Sequence, residues 1–128
     1  REHVAWLVEH KDALAEPSRL TPADLKLLMQ SPWFEDLLAQ FAAVCRARGR
    51  PLDAYEAVRA RAAAIPAEEI QPPPLLDGED LKGMGLREGP LFKAILDRVY
   101  YAQLNNEVSS RAQALQRAAE VRKELGHQ

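Results

Sequence analysis

A single cysteine, Cys45, is too little for an internal disulfide or a cysteine-based zinc site. Aromatic residues make up only 6% of the 128-residue chain, and β-branched residues are sparse, which disfavours sheets. No strand-like alternation, low-complexity tract or clear internal repeat is visible. No apolar run approaches the roughly 20 residues of a membrane span, and nothing reads as a secretory leader. A reducing cytoplasm is the expected setting. The chain opens at Arg1, inside an apparent helix and without a methionine, so it reads as a piece of a longer protein. What is abundant is alanine and leucine, both strong helix formers. The expected fold is all-α, with about seven helices in two lobes: a body lobe over 1–65 and a tail lobe over 75–128, joined by a proline-rich spacer at 66–74.

The formal net charge is −2, so the chain as a whole does not read as a polyanion binder. The charge is uneven. Between positions 46 and 61, Arg46, Arg48, Arg50, Arg59 and Arg61 face only Asp53 and Glu56, a local excess of +3. This is the best basic patch in the sequence.

Helix signals recur along the chain. Val4, Leu7, Val8 and Leu14 suggest one face of a first helix running from near Arg1 to Ala15. Thr21-Pro22-Ala23-Asp24 reads as an N-cap, a proline at the first helical position and an acid in the first turn of a short helix ending near Met29. Ser31-Pro32 repeats the start signal ahead of Phe34, Leu37, Leu38, Phe41 and Cys45, and Gly49 should stop that helix. Asp53 and Glu56 have capping-box spacing with Asp53 as the cap, and Val58, Ala62 and Ile65 mark the core side of the helix that follows. Four prolines fall within 66–74, which predicts a stiff, extended segment. Asp77 should cap a short helix over 78–83. Pro90 should open a longer one with Leu91, Ile95, Val99 and Ala102 inward. Asn105-Asn106 can end it in a left-handed conformation. Ser110 and Gln113 suggest another capping box, before a last helix marked by Leu115, Ala118 and Leu125.

The most informative stretch spans 72–108. It contains Leu75-Leu76-Asp77-Gly78-Glu79-Asp80-Leu81, then Gly85-Leu86, Gly89-Pro90 and Ala102-Gln103-Leu104. In order and spacing it resembles the C-terminal region of bacterial class II tRNA nucleotidyltransferases (CCA-adding enzymes) and their poly(A) polymerase relatives. The likeness extends upstream through Val4-Ala5-Trp6-Leu7-Val8 with His10, Leu25-Lys26-Leu27-Leu28, Ser31-Pro32-Trp33-Phe34-Glu35-Asp36-Leu37-Leu38 and Ile65-Pro66-Ala67-Glu68-Glu69. In that family this region handles RNA, and the chemistry lies in an N-terminal head. The resemblance therefore implies an RNA partner, with tRNA expected as the family's usual substrate, and a catalytic head outside this chain. It implies no catalytic residue, metal ligand or cofactor within the chain and no membrane partner.

Two departures from the family pattern bear on chemistry. Many members carry a metal-binding HD-type region with a Leu-His-x-x-Asp segment. The matching positions here are Phe41 and Val44, so the metal-site histidine and aspartate are replaced by apolar residues. The paired carboxylates of the polymerase head have no counterpart. The other departure is Asn105-Asn106-Glu107 in place of the family's usual acid-Gly turn, a small change because asparagine tolerates the left-handed region.

The candidate RNA-binding residues are Arg46, Arg48 and Arg50 in one group and Arg87, Lys93 and Arg98 in the other. Arginines can track phosphates, and the 83–90 turn can present helix N–H groups to a phosphate beside Arg87 and Lys93. Each has a plainer reading. Arginines at a helix C-terminus favour the macrodipole without any partner, and glycines commonly do no more than shape a turn. Trp6 and Trp33 can stack on bases but fit core anchoring better. Of the adjacent Tyr100 and Tyr101, at least one should be exposed. His3, His10 and Cys45 lack ligand spacing.

Overall fold

The computed structural model describes residues 1–126. The last two positions of the expected 75–128 lobe lie outside the described residues. Among those described, the chain is all-helical: α1 (Glu2–His10), a 3-10 turn (Pro17–Arg19), α2 (Pro22–Met29), α3 (Phe34–Ala47), α4 (Asp53–Ala64), α5 (Ala67–Ile70), α6 (Gly78–Gly83), α7 (Pro90–Leu104) and α8 (Arg111–Leu125). It divides into two compact units, Arg1–Gln71 and a second beginning at Pro72.

The first unit is built on Leu14, Leu20, Leu25, Leu28, Phe34, Leu37, Leu38 and Val58. The cap of α2 forms as its sequence dictates. Thr21 Oγ1 accepts from the Asp24 N–H at 3.1 Å, and an Asp24 carboxylate oxygen accepts in return from the Thr21 N–H. Within α2, Leu25 and Leu28 lie three residues apart on the buried face. Lys26 is only 3% exposed whereas Leu27 is 43% exposed, the reverse of what hydrophobicity alone would order.

Helix α1 differs from expectation in length and in phase. It ends at His10, and turns follow up to Ala15. Val4 and Val8, expected inward, are exposed, while Trp6 and Leu7 pack against the core. An indole offers far more apolar surface to bury than a valine, so it sets the rotation of a short helix. The Asp53 cap does not form either. Leu52 occupies the N-cap position of α4, and Asp53 lies in the first turn with Glu56, where both still favour the macrodipole.

The 66–74 stretch is not extended throughout. Residues 67–70 make the single turn α5, and the Ile70 carbonyl accepts from Gln30 Nε2 at 2.9 Å. Pro72 and Pro73 belong to the second unit, where side chains of α7 bind their carbonyls: Tyr100 OH donates to Pro72 and Gln103 Nε2 to Pro73, each at 2.8 Å.

The second unit packs α6, α7 and α8 around Leu76, Leu81, Phe92, Ile95, Val99, Ala114, Ala118 and Val121. On α7, Phe92 takes the inward position expected of Leu91, which is exposed. On α8, Ala114 and Val121 are buried with Ala118, whereas Leu115 and Leu125 are half-buried. Asp77 caps α6 in a full capping box with Asp80. Ser110 caps α8, but Gln113 Oε1 reaches back to Ser109, accepting from its N–H at 2.8 Å and its hydroxyl at 3.1 Å. Tyr100 and Tyr101 are both half-buried, so neither is the exposed ring expected from their adjacency.

Candidate nucleic-acid interface

The three arginines of the first group are placed by one helix ending. At the end of α3 the Arg50 N–H donates to the Cys45 carbonyl at 2.8 Å, and the Gly49 N–H donates to the Arg46 carbonyl at 3.2 Å. This pair of bonds is a Schellman cap. It requires a left-handed residue, and Gly49 supplies it with φ of 64°. Arg46, Arg48 and Arg50 therefore crowd the last turn and its exit, and all three side chains are exposed. Neither an ion pair nor a side-chain hydrogen bond engages them among the described residues. Such a group favours the negative end of the helix dipole and remains available to an anion.

Arg59 and Arg61, part of the same charge excess, are used within the unit. Arg59 lies 3.4 Å from Glu35 and over the Tyr55 ring at 5.8 Å from its centroid. Arg61 donates to the Pro17 carbonyl at 2.9 Å. The local excess thus reduces to Arg46, Arg48 and Arg50 as unengaged cations.

The second group lies in the other unit. Helix α6 also ends in a Schellman cap: the Leu86 N–H donates to Leu81 O at 3.1 Å and the Gly85 N–H to Lys82 O at 3.0 Å. Gly85 has φ of 87°, and Leu86 packs against the core cluster that contains Leu81, in keeping with the apolar packing that accompanies this cap. Arg87 follows directly and is exposed, as is Lys93 on the first turns of α7. Helix α7 begins at Gly89-Pro90 without a side-chain cap, unlike α6 and α8, so its first-turn amides can receive an anion. Arg98 is committed, with Nη2 3.0 Å from Glu124. Arg111, Arg117 and Arg122 are also engaged, by Asp80, Glu107 and the Met84 carbonyl respectively. Arg87, Lys93 and, on the last turn of α8, Lys123 are the exposed cations that the second unit has to offer a phosphate.

Trp6 and Trp33 belong to an aromatic group in the first unit. His3 stacks on Trp33 with centroids 5.1 Å apart, Trp6 stacks on His10 at 4.4 Å, and the two indoles meet edge to face at 6.1 Å. Both tryptophans are half-buried in these contacts. The grouping was visible in sequence only as the one-turn spacing of Trp6 and His10. Among the described residues no cluster of three or more histidines, cysteines, aspartates or glutamates is arranged to hold a metal ion, and no helix is long and apolar enough to cross a membrane.

Compared with known proteins, the chain matches no family model, no curated protein and no solved structure at a significant level.

Proposed function

We propose that the chain is an RNA-binding region, with tRNA as its natural RNA, from a protein of the tRNA nucleotidyltransferase and poly(A) polymerase type. It would hold the RNA so that the 3′ end reaches a catalytic head outside this chain. The reading draws on the ordered motifs between Leu75 and Leu104. The observation that carries it in three dimensions is the unengaged triplet Arg46, Arg48 and Arg50 at the end of α3. Contacts of this kind go to phosphates and to shape, with little reading of bases. A cytoplasmic location belongs to the same proposal.

A helical scaffold that keeps this fold without binding RNA is the second reading. The net charge of −2 and the internal engagement of Arg59, Arg61 and Arg98 favour it. Binding to a folded tRNA, measured across salt concentrations, decides between the two. On the RNA reading, log affinity falls linearly with log salt, and replacing Arg46, Arg48 and Arg50 by alanine lowers that slope by about two to three. Absence of salt-dependent binding by the parent chain selects the scaffold. An unchanged slope in the triple variant, with loss on Arg87→Ala and Lys93→Ala, moves the RNA face to the second unit.

A further inference from the structure

The first unit contains a cavity of about 650 Å³, lined by residues of α1, of the connection that follows it and of α2. This lies within the roughly 300–1,000 Å³ typical of small-molecule sites. Its lining combines two chemistries. Trp6 and Leu27 contribute apolar wall, and Leu27 is the residue of α2 left 43% exposed although it is a leucine. His10 is fixed against Trp6: the rings stack at 4.4 Å, and Nδ1 donates to the Trp6 carbonyl at 2.8 Å. A carbonyl only accepts, so Nδ1 carries the ring proton. The aromatic wall is therefore set in advance of any ligand.

The charged part of the lining is acidic. Asp12, Glu16 and Asp24 contribute three carboxylates against the single guanidinium of Arg19, a net −2 with His10 neutral. Arg19 lies 2.8 Å from Glu16 and is partly neutralised by it, so the positive charge in the lining is already matched. Asp12 is exposed and its carboxylate has no ion pair or hydrogen bond among the described residues. A phosphate or carboxylate meets like charge here, and the cavity is distinct in character from the arginine triplet of α3. An ammonium group meets complementary charge in these carboxylates. An apolar body attached to it gains Leu27 and Trp6.

We propose that this cavity binds a small organic monoamine whose ammonium group carries an aromatic or branched aliphatic body. The ammonium sits beside Asp12 and Glu16, with the capping carboxylate of Asp24 adding negative charge to the same lining, and the body lies along Trp6 and Leu27. The test titrates the full chain with 2-phenylethylammonium while following the Trp6 indole N–H resonance. A saturable shift is expected. Asp12→Asn combined with Glu16→Gln should weaken binding by about fivefold or more, the loss of roughly 1 kcal/mol of exposed charge interaction. Leu27→Ser should weaken it independently, and the unliganded spectra of both variants report whether they fold. The carboxylate of matching size, 3-phenylpropionate, should leave the resonance in place. The proposal is overturned by absence of saturation up to about 10 mM, by an equal response to 3-phenylpropionate, or by binding of spermidine or a lysine-rich peptide without binding of 2-phenylethylammonium.

Discussion

Gln103 binds the proline segment from both sides of its amide: Nε2 donates to the Pro73 carbonyl at 2.8 Å, and Oε1 accepts from the Leu75 N–H at 3.0 Å. Prolines have no N–H and cannot pair with another chain segment as a strand would. A side-chain amide with both a donor and an acceptor solves this, because it spans two residues of extended backbone. Tyr100, three residues earlier on α7 and therefore on the same face, does the same for Pro72 through its hydroxyl. The prolines are thus a strap on the second unit.

Removing that amide should release the strap. Gln103→Ala is expected to destabilise the second unit by about 1–2 kcal/mol, one ordinary hydrogen bond for each end of the amide. Tyr100→Phe removes the hydroxyl's bond to the Pro72 carbonyl, a loss of about 1 kcal/mol. Chemical denaturation of each variant measures both. A Gln103→Ala chain as stable as the parent would mean that water replaces the amide without loss.

The glycines of the 83–89 turn are not equivalent. Gly85 holds φ of 87° in the Schellman cap, whereas Gly83 is the last residue of α6 and has no positive φ. A Cβ at either position meets nothing within 4 Å, so backbone conformation alone separates them. Gly85→Val should destabilise by on the order of 1–3 kcal/mol. Gly83→Ala should stabilise by about 0.5–1 kcal/mol, through the smaller entropy of the unfolded chain. Thermal melts of the two variants moving in the same direction would contradict this assignment.

How much of this was legible in the sequence depended on range. Thr21 with Asp24 and Asp77 with Asp80 are settled within four residues by side chains bonding nearby backbone, and Asn106, with φ of 62°, by the tolerance of asparagine for the left-handed region, so they could be read directly. The rotation of α1 could not. Its nine residues contain two competing apolar sets, Val4 with Val8 and Trp6 with Leu7, and only the rest of the unit selects between them. The same limit holds for the arginines. Exposure of Arg46, Arg48 and Arg50 followed from a dense basic run at a helix end. The commitment of Arg59, Arg61 and Arg98 to partners 24, 44 and 26 residues away in sequence did not. Nothing local marked Gln103 as the residue that holds the prolines, since its partners lie 28 and 30 residues before it.

Acid should act on the second unit through Asp80. Its side chain is only 8% exposed, and Oδ2 accepts from the Asp77 N–H at 2.9 Å while Oδ1 is paired with Arg111. The bond from the Asp77 N–H is the largest influence. With the nearby Arg111 guanidinium it outweighs the opposing effect of desolvation and holds the carboxyl below the ordinary aspartate range. The sign follows from linkage. A carboxyl with a lower pKa when folded contributes stability above its unfolded pKa of about 4, and loses it as pH falls toward the folded value. Protonation would weaken the bond from the Asp77 N–H and remove the charge that pairs with Arg111, loosening the start of α6 from α8. Asp80→Asn removes the titration and should flatten the dependence of melting temperature on pH below about 4, relative to the parent. Arg111→Ala should flatten it only in part, because the Asp77 bond remains. Melting curves followed by circular dichroism between neutral and strongly acidic pH measure both effects, and parallel pH profiles for Asp80→Asn and the parent chain would remove Asp80 as the source.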